Sequence, residues 1–216
     1  MNKKLFRGMF AIAALVATSL ACNLGAGGAL LEDNFEGDQN WGIGSDPEYS
    51  VSYWEGGLRM EVFQGNFIIW STPSEEAYEN VHIEATVTGN AENPASAFGI
   101  LCHQQVITDS YYYLVATAGG EYAIAESALA FDDVILTNND DWATSDAITT
   151  GKDSYRVGAD CGNGSLTLYV DGQQIASVAD DTLTSGVVGL LVLNWDEAAS
   201  ADYTFDDFVV TKLEQQ

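Results

Sequence analysis

The sequence predicts an all-β chain, folded as two antiparallel sheets packed face to face, and three observations carry that prediction. Apolar and polar residues alternate with a period of two, as in Val81, Ile83, Ala85 and Val87 against His82, Glu84 and Thr86, so each strand has one face for a core and one for water. The apolar runs are short and bounded by Gly, Asn and Asp clusters, with no long amphipathic helical stretch; that length suits strands rather than helices. Leu166, Leu168 and Val170 alternate with Thr167 and Tyr169 and run straight into Asp171-Gly172. An Asp-Gly pair supplies the two positive-φ positions of a tight hairpin turn.

The first segment of the chain is of another kind. Lys3, Lys4 and Arg7 precede an apolar run from Met9 to Ala21, about the length of a signal-peptide core and short of the roughly 20 residues that span a bilayer. Residues 1–21 are expected to be an export signal. Ser19-Leu20-Ala21-Cys22 resembles the bacterial lipobox, in which small residues precede a cysteine that receives lipid before cleavage. Ser19 stands where that motif usually has Leu. The expectation is a lipid anchor on Cys22; the alternative is an ordinary secretory signal cut near Ala21. Residues 22–30, which include Asn-Leu-Gly-Ala-Gly-Gly-Ala-Leu, hold too little side chain to build a core and read as a flexible tether. Residues 31–216 are then one domain, in the cell envelope or on the cell surface, touching the membrane only through the lipid.

Within that domain the expected strands, in order, are Leu58 to Phe63, Phe67 to Ser71, Val81 to Val87, Phe98 to Gln104, Tyr111 to Ala116, Tyr122 to Glu126, Ser154 to Asp160, Leu166 to Val170, Ile175 to Val178, Val187 to Leu193 and Tyr203 to Thr211. Gly56-Gly57 and Gly119-Gly120 read as hairpin turns, since no helix follows either. About ten or more strands in one domain make a sandwich.

Charge and cysteine usage narrow the partners. Asp and Glu outnumber Lys and Arg by 32 to 7, a formal charge of −25, and such a surface repels phosphate backbones, so no nucleic acid is expected. Three cysteines in an exported chain leave an odd thiol. Assigning Cys22 to the lipid leaves Cys102 and Cys161 as a pair, either bridged, as an oxidising compartment favours, or buried as two small apolar side chains.

A family resemblance enters with longer motifs. Phe98-Gly-Ile-Leu-Cys102, Tyr111-Tyr-Tyr-Leu-Val115, Gly120-Glu-Tyr-Ala-Ile124, Trp142 with Ser145-Asp-Ala-Ile148 and Gly151, Ala159-Asp-Cys161, Leu166-Thr-Leu-Tyr-Val-Asp-Gly172, Gly186-Val-Val-Gly189 and Phe205-Asp-Asp-Phe208 resemble a concanavalin A-like, laminin-G-like jelly roll of bacterial surface lipoproteins. The likeness covers nearly the whole chain after the leader. It implies that Cys102 and Cys161 occupy the family's cysteine positions and are bridged. Where the family often has Arg after the first cysteine and a basic residue at the end of the Tyr-x-Ile strand, this chain has His103 and Glu126, so an anion-reading role does not carry over.

Catalytic motifs do not read from the sequence. Retaining glucanases on such a fold need close carboxylates of the E-x-D-x-x-E kind, and the acidic groups here (Glu32-Asp33, Glu36, Asp132-Asp133, Asp140-Asp141, Asp206-Asp207) are not spaced that way. A G-x-S-x-G elbow and a phosphate-cradling glycine loop before a helix are also missing. Aromatic rings are the remaining resource, because their apolar faces stack on the C–H faces of sugars while Asn, Asp and Gln take the hydroxyls. Trp142 in Asn138-Asn-Asp-Asp-Trp and Trp195 in Asn194-Trp-Asp-Glu have such neighbours; Trp70, Tyr112 and His103 complete the expected ligand-binding set, each with core packing as its alternative. No cofactor is required. A structural calcium, which takes hard oxygen ligands, is expected at Asp33, Glu36 and Asp206 if the first and last strands pair, as the resemblance suggests. The resulting expectation is a membrane-anchored, non-catalytic module for an extracellular glycan or surface polymer; the alternatives are a glycoside-cleaving enzyme on the same fold and a structural or adhesive surface component.

Overall fold

A computed structural model of the chain describes residues 28–37, 40–89, 93, 95–128, 132–196 and 199–213. The expected leader, Cys22 and most of the expected tether lie outside the described residues.

The strands are β1 (Leu31–Asp33), β2 (Gly44–Ser45), β3 (Tyr49–Trp54), β4 (Gly57–Val62), β5 (Phe67–Ser71), β6 (Val81–Gly89), β7 (Ser96–Gln105), β8 (Ser110–Ala116), β9 (Glu121–Ala128), β10 (Val134–Ile135), β11 (Ala143–Thr144), β12 (Ser154–Gly162), β13 (Ser165–Val170), β14 (Gln173–Ala179), β15 (Val187–Asn194) and β16 (Ala201–Lys212). They form a nine-stranded sheet in the order β14-β13-β12-β6-β16-β4-β3-β2, with β1 beside β16, and a seven-stranded sheet in the order β10-β9-β8-β7-β15-β5, with β11 beside β9. Every strand pair is antiparallel, and no helix occurs among the described residues.

The expected strands all form, with ends shifted by at most two residues. The structure adds β3, whose Tyr49, Val51 and Tyr53 face inward between Ser50 and Ser52, and the short pieces β1, β2, β10 and β11. The Asp171-Gly172 turn has φ of 51° and 73°, and the Asn163-Gly164 and Glu55-Gly56 turns repeat the pattern at 52° and 75° and at 50° and 83°. All three therefore close two-residue hairpins whose twist matches that of their strands.

Alternation along β6, β12, β13 and β16 on one side and β7, β8 and β15 on the other supplies the core. Phe98, Ile100, Tyr112 and Leu114 meet Ile83, Val157, Leu168, Phe205 and Phe208 between the sheets, all fully buried. Burying a side chain of this size is worth about 1.5–3 kcal/mol. Cys102 on β7 and Cys161 on β12 are joined across the two sheets with Cα atoms 6.6 Å apart, within the span a disulfide tolerates.

The first and last strands do pair, with Asp33 opposite Phe208, yet they do not build the expected calcium site. Asp33 shares the core face with Phe208, is buried, and accepts the Phe35 N–H at 2.8 Å and the Trp41 Nε1–H at 2.7 Å. Asp206 lies on the opposite face, lining a hollow with Arg59 and Thr86, and Glu36 is exposed beside Asn34. An unbroken pleat would place residues 206 and 208 on one face; the bulge in β16 between Asp206 and Val209, with φ of 48° at Asp207, instead turns Asp206 to the side opposite Phe208 and Asp33. Among the described residues no group of three His, Cys, Asp or Glu side chains is placed to hold a metal ion.

Candidate functional site

The seven-stranded sheet has a second apolar face, turned away from the core. Ala97 and Leu101 from β7, Tyr111, Tyr113 and Val115 from β8, Ala123 and Ala125 from β9 and Leu191 from β15 are buried there, with Ile68, Trp70, Leu193, Trp142 and Trp195 packed partly over them. Small residues in the middle and large ones around them leave a hollow of about 550 Å³. Ile68, Leu193 and Tyr113 line it from below, Trp142 and Trp195 from above, and Glu121, Asp133 and Asp141 from the β9 side.

Trp142 reaches the hollow from the loop between β10 and β11. That loop is held by its own polar residues: Asn138 Nδ2 donates to the Trp142 carbonyl at 2.8 Å, and the Trp142 N–H donates to Asp141 Oδ1 at 2.8 Å. Asp140 Oδ1 accepts the Ile135 N–H at 3.0 Å. The polar run around Trp142 is therefore the scaffold that aims the indole. Trp195 follows the end of β15, its N–H bonded to the Ala95 carbonyl at 3.0 Å. The two indoles meet with ring centroids 5.0 Å apart at a tilt of 52°, and both remain only partly buried.

Below them, Tyr113 Oη donates to Asp133 Oδ2 at 2.9 Å, and Ser127 Oγ donates to Asp133 Oδ1 at 2.6 Å. Burial, followed by the charge of Asp133, raises the Tyr113 phenol well above its ordinary range, so it stays a neutral donor. Both Asp133 oxygens thus carry a hydroxyl partner. The floor strands β7 and β8 bring no carboxylate into the hollow, since their side chains on this face are Ala97, Leu101, Tyr111, Tyr113 and Val115.

Trp70 belongs to the same face but not to the same hollow. It packs on Tyr111 at 5.3 Å between centroids and lines a smaller groove of about 280 Å³ with Ile43, Tyr49, Phe67, Ile68 and Ile69. Phe67 and Ile68 border both depressions.

Tyr112 and His103, the other two expected residues, lie elsewhere. Tyr112 pairs with Cys102 across β7 and β8 and so shares its face toward the core. Its hydroxyl donates to Asp180 and accepts the Leu183 N–H at 2.9 Å; burial, then the Asp180 bond, raises this phenol to about 12. His103 should by alternation face the hollow beside Leu101. A bulge between Cys102 and Gln105, with φ of 55° at His103, turns it away. Its ring is buried, with Nδ1 2.8 Å from the Leu183 carbonyl and Nε2 2.8 Å from the Glu79 carbonyl. Both side chains tie the segment around Leu183 to the rim of the core.

Sequence reasoning passed over Tyr113, Ile68, Leu193, Glu121 and Asp133. For Tyr113 a usable signal was present: a bridge from Cys102 to the other sheet fixes the Cys102 face as the inner one, which sends Tyr111 and Tyr113 outward.

No protein-family model and no curated protein matches the sequence. Solved structures do match in fold. The carbohydrate-binding module CBM66 from Bacillus subtilis superposes with a TM-score of 0.60 at 12% identity, over 80% of this chain and 95% of that one. A Bacillus subtilis protein of unknown function with a galectin-like fold gives 0.60 at 13%, over 88% and 99%. The Bacillus licheniformis beta-glucanase gives 0.53 at 12%, over 88% and 100%. The fold is thus a concanavalin A-like jelly-roll sandwich.

Proposed function

We propose that the chain is an exported, lipid-anchored domain that binds a neutral glycan, without cleaving it, in the hollow on the outer face of the seven-stranded sheet. The observation that carries this reading is the Trp142–Trp195 pair, partly exposed and fixed over an apolar floor with carboxylates at one side. Indole faces stack on sugar rings, and acidic acceptors take hydroxyl protons while repelling anionic chains. Fold likeness to a carbohydrate-binding module and to glucanases supports the same ligand class. The anchor rests on the leader and on Cys22. Mass spectrometry of the mature N-terminus is expected to find acylated Cys22, and any other terminal residue would remove that part of the reading.

Cleavage is the second reading, favoured by Glu121, Asp133 and Asp141 in one hollow. We prefer binding because Asp133 already accepts two hydroxyls, which occupies both oxygens of one member of any catalytic carboxylate pair. Calorimetry against neutral oligosaccharides, run beside a reducing-sugar assay, tests the choice: binding without product release is expected, and steady release that is lost in Glu121→Gln or Asp133→Asn would reverse it.

A further inference from the structure

The two depressions on the outer face of the seven-stranded sheet are not independent. Phe67 and Ile68 on the edge strand β5 form the border of each. On one side of that border the larger hollow runs across the sheet from Ile68 on β5 to Glu121 on β9. Between those strands lie β15, β7 and β8, four strand spacings in all, or about 19 Å. On the other side the smaller groove passes over the β5 edge to Trp70, Ile43 and Tyr49. Among the described residues no strand is paired to the outer side of β5, and Ile43 there is 60% exposed.

From this continuity we infer that the ligand is a neutral polysaccharide held over several consecutive units, with the chain leaving the hollow over the β5 edge past Trp70 and Ile43. The inference rests on the glycan reading above and adds the form of the ligand to it. A single sugar ring fills only a fraction of a hollow this long. The stacking surfaces are also split, with Trp142 and Trp195 at one end and the Trp70–Ile43 groove at the other, so one short saccharide cannot reach both. Registers make the separation concrete: Trp70 pairs with Leu191, and Trp195 lies four residues further along the same strand direction, about 13 Å away along β15. The carboxylates lining the hollow stand on the β9 side, at Glu121, Asp133 and Asp141, while the lining toward β5 is apolar apart from Asn66 and Asn194. A chain crossing from one side to the other meets the carboxylates together with Trp142 first and the apolar groove at Trp70 and Ile43 afterwards.

The test is calorimetric titration of the folded domain with linear gluco-, fructo- and manno-oligosaccharides of about one to six units, using wild type, Ile43→Ser and Trp70→Ala. Affinity for the series that binds is expected to rise at least tenfold between the disaccharide and the longest member. Ile43→Ser, an exposed position whose change leaves the fold intact, is expected to lower affinity several-fold for the longest member and not for the disaccharide, and Trp70→Ala to do so more strongly. A plateau at one or two units overturns the inference and leaves the glycan reading standing, as does an Ile43→Ser and Trp70→Ala pair that binds the longest member as wild type does. Failure of every series at every length overturns the glycan reading and this inference with it.

Discussion

Trp142 owes its position to a handful of hydrogen bonds within its own loop, and Trp195 to a single backbone bond at the end of β15. An aromatic contact is worth about 0.5–1.5 kcal/mol, close to a tenfold change in affinity at its upper end. Trp142→Ala and Trp195→Ala are each expected to weaken oligosaccharide binding by about tenfold while leaving the unfolding midpoint nearly unchanged, as calorimetry and circular dichroism would record. Tyr112→Phe should do the reverse. It removes the donor to Asp180 and the acceptor for the Leu183 N–H, at a cost of about 1–3 kcal/mol, and leaves binding intact. His82 provides a third test at this scale. It is half-buried between Asp160 at 2.6 Å and Glu84 at 3.3 Å; burial opposes its charge, but the bonds and charges of those two carboxylates win and raise it to about 9. Its charged form therefore stabilises the fold fully below its ordinary value of 6.5, and that contribution is lost as pH rises through about 9. Tyr169, which bonds Asp160 from β13, is raised to about 12, first by burial, and stays neutral over this window. Denaturant titrations from pH 6 to 10 should show stability falling in wild type and a flatter profile in His82→Gln.

Among the elements, the strand alternation of β6 and β13 was legible because each carries an unbroken run of alternating residues, that of β16 because two alternating stretches flank its bulge at Asp206-Asp207, and the β13–β14 hairpin because Asp171-Gly172 admits few other conformations. β3 was missed although Tyr49, Val51 and Tyr53 alternate with Ser50 and Ser52 in the same period of two, because Val51 is its one aliphatic inward residue. β1, β2, β10 and β11 are too short for any period to register. At the site, Trp142 and Trp195 stood out by their polar neighbours. The faces of Tyr112 and His103 did not: alternation along β8 says that adjacent tyrosines diverge, but not which one points inward, and the bulge after Cys102 has no marker in the residues themselves. The disulfide supplies the missing reference, because it pins Cys102, and with it Tyr112, to the core. It also closes 59 residues of chain, which on the loop-closure account stabilises the fold by about 4 kcal/mol. Cys102→Ser with Cys161→Ser is expected to lower the guanidinium midpoint markedly, and an unchanged midpoint would contradict the structural role given to the bridge.

Across the whole molecule the two sheets divide the work. The nine-stranded sheet turns a charged and hydroxyl-bearing face to solvent, where Arg59 is held by Asp202 at 2.7 Å and Glu61 at 2.9 Å and Arg156 by Glu84 at 3.2 Å. The seven-stranded sheet turns outward an apolar floor under aromatic rings. A net charge of −25 opposes association with phosphate polymers, in keeping with the neutral ligand proposed for the second face. The five tryptophans report on this division. Trp41 is buried and bonded to Asp33, Trp54 is exposed under Arg59 on the first sheet, and Trp70, Trp142 and Trp195 lie on the second. The most direct test is an NMR titration of the assigned indole N–H signals with the tightest-binding neutral oligosaccharide. The account predicts that the Trp142 and Trp195 signals shift on saturation while Trp41 and Trp54 stay in place; shifts confined to Trp54, or none at all, would contradict it.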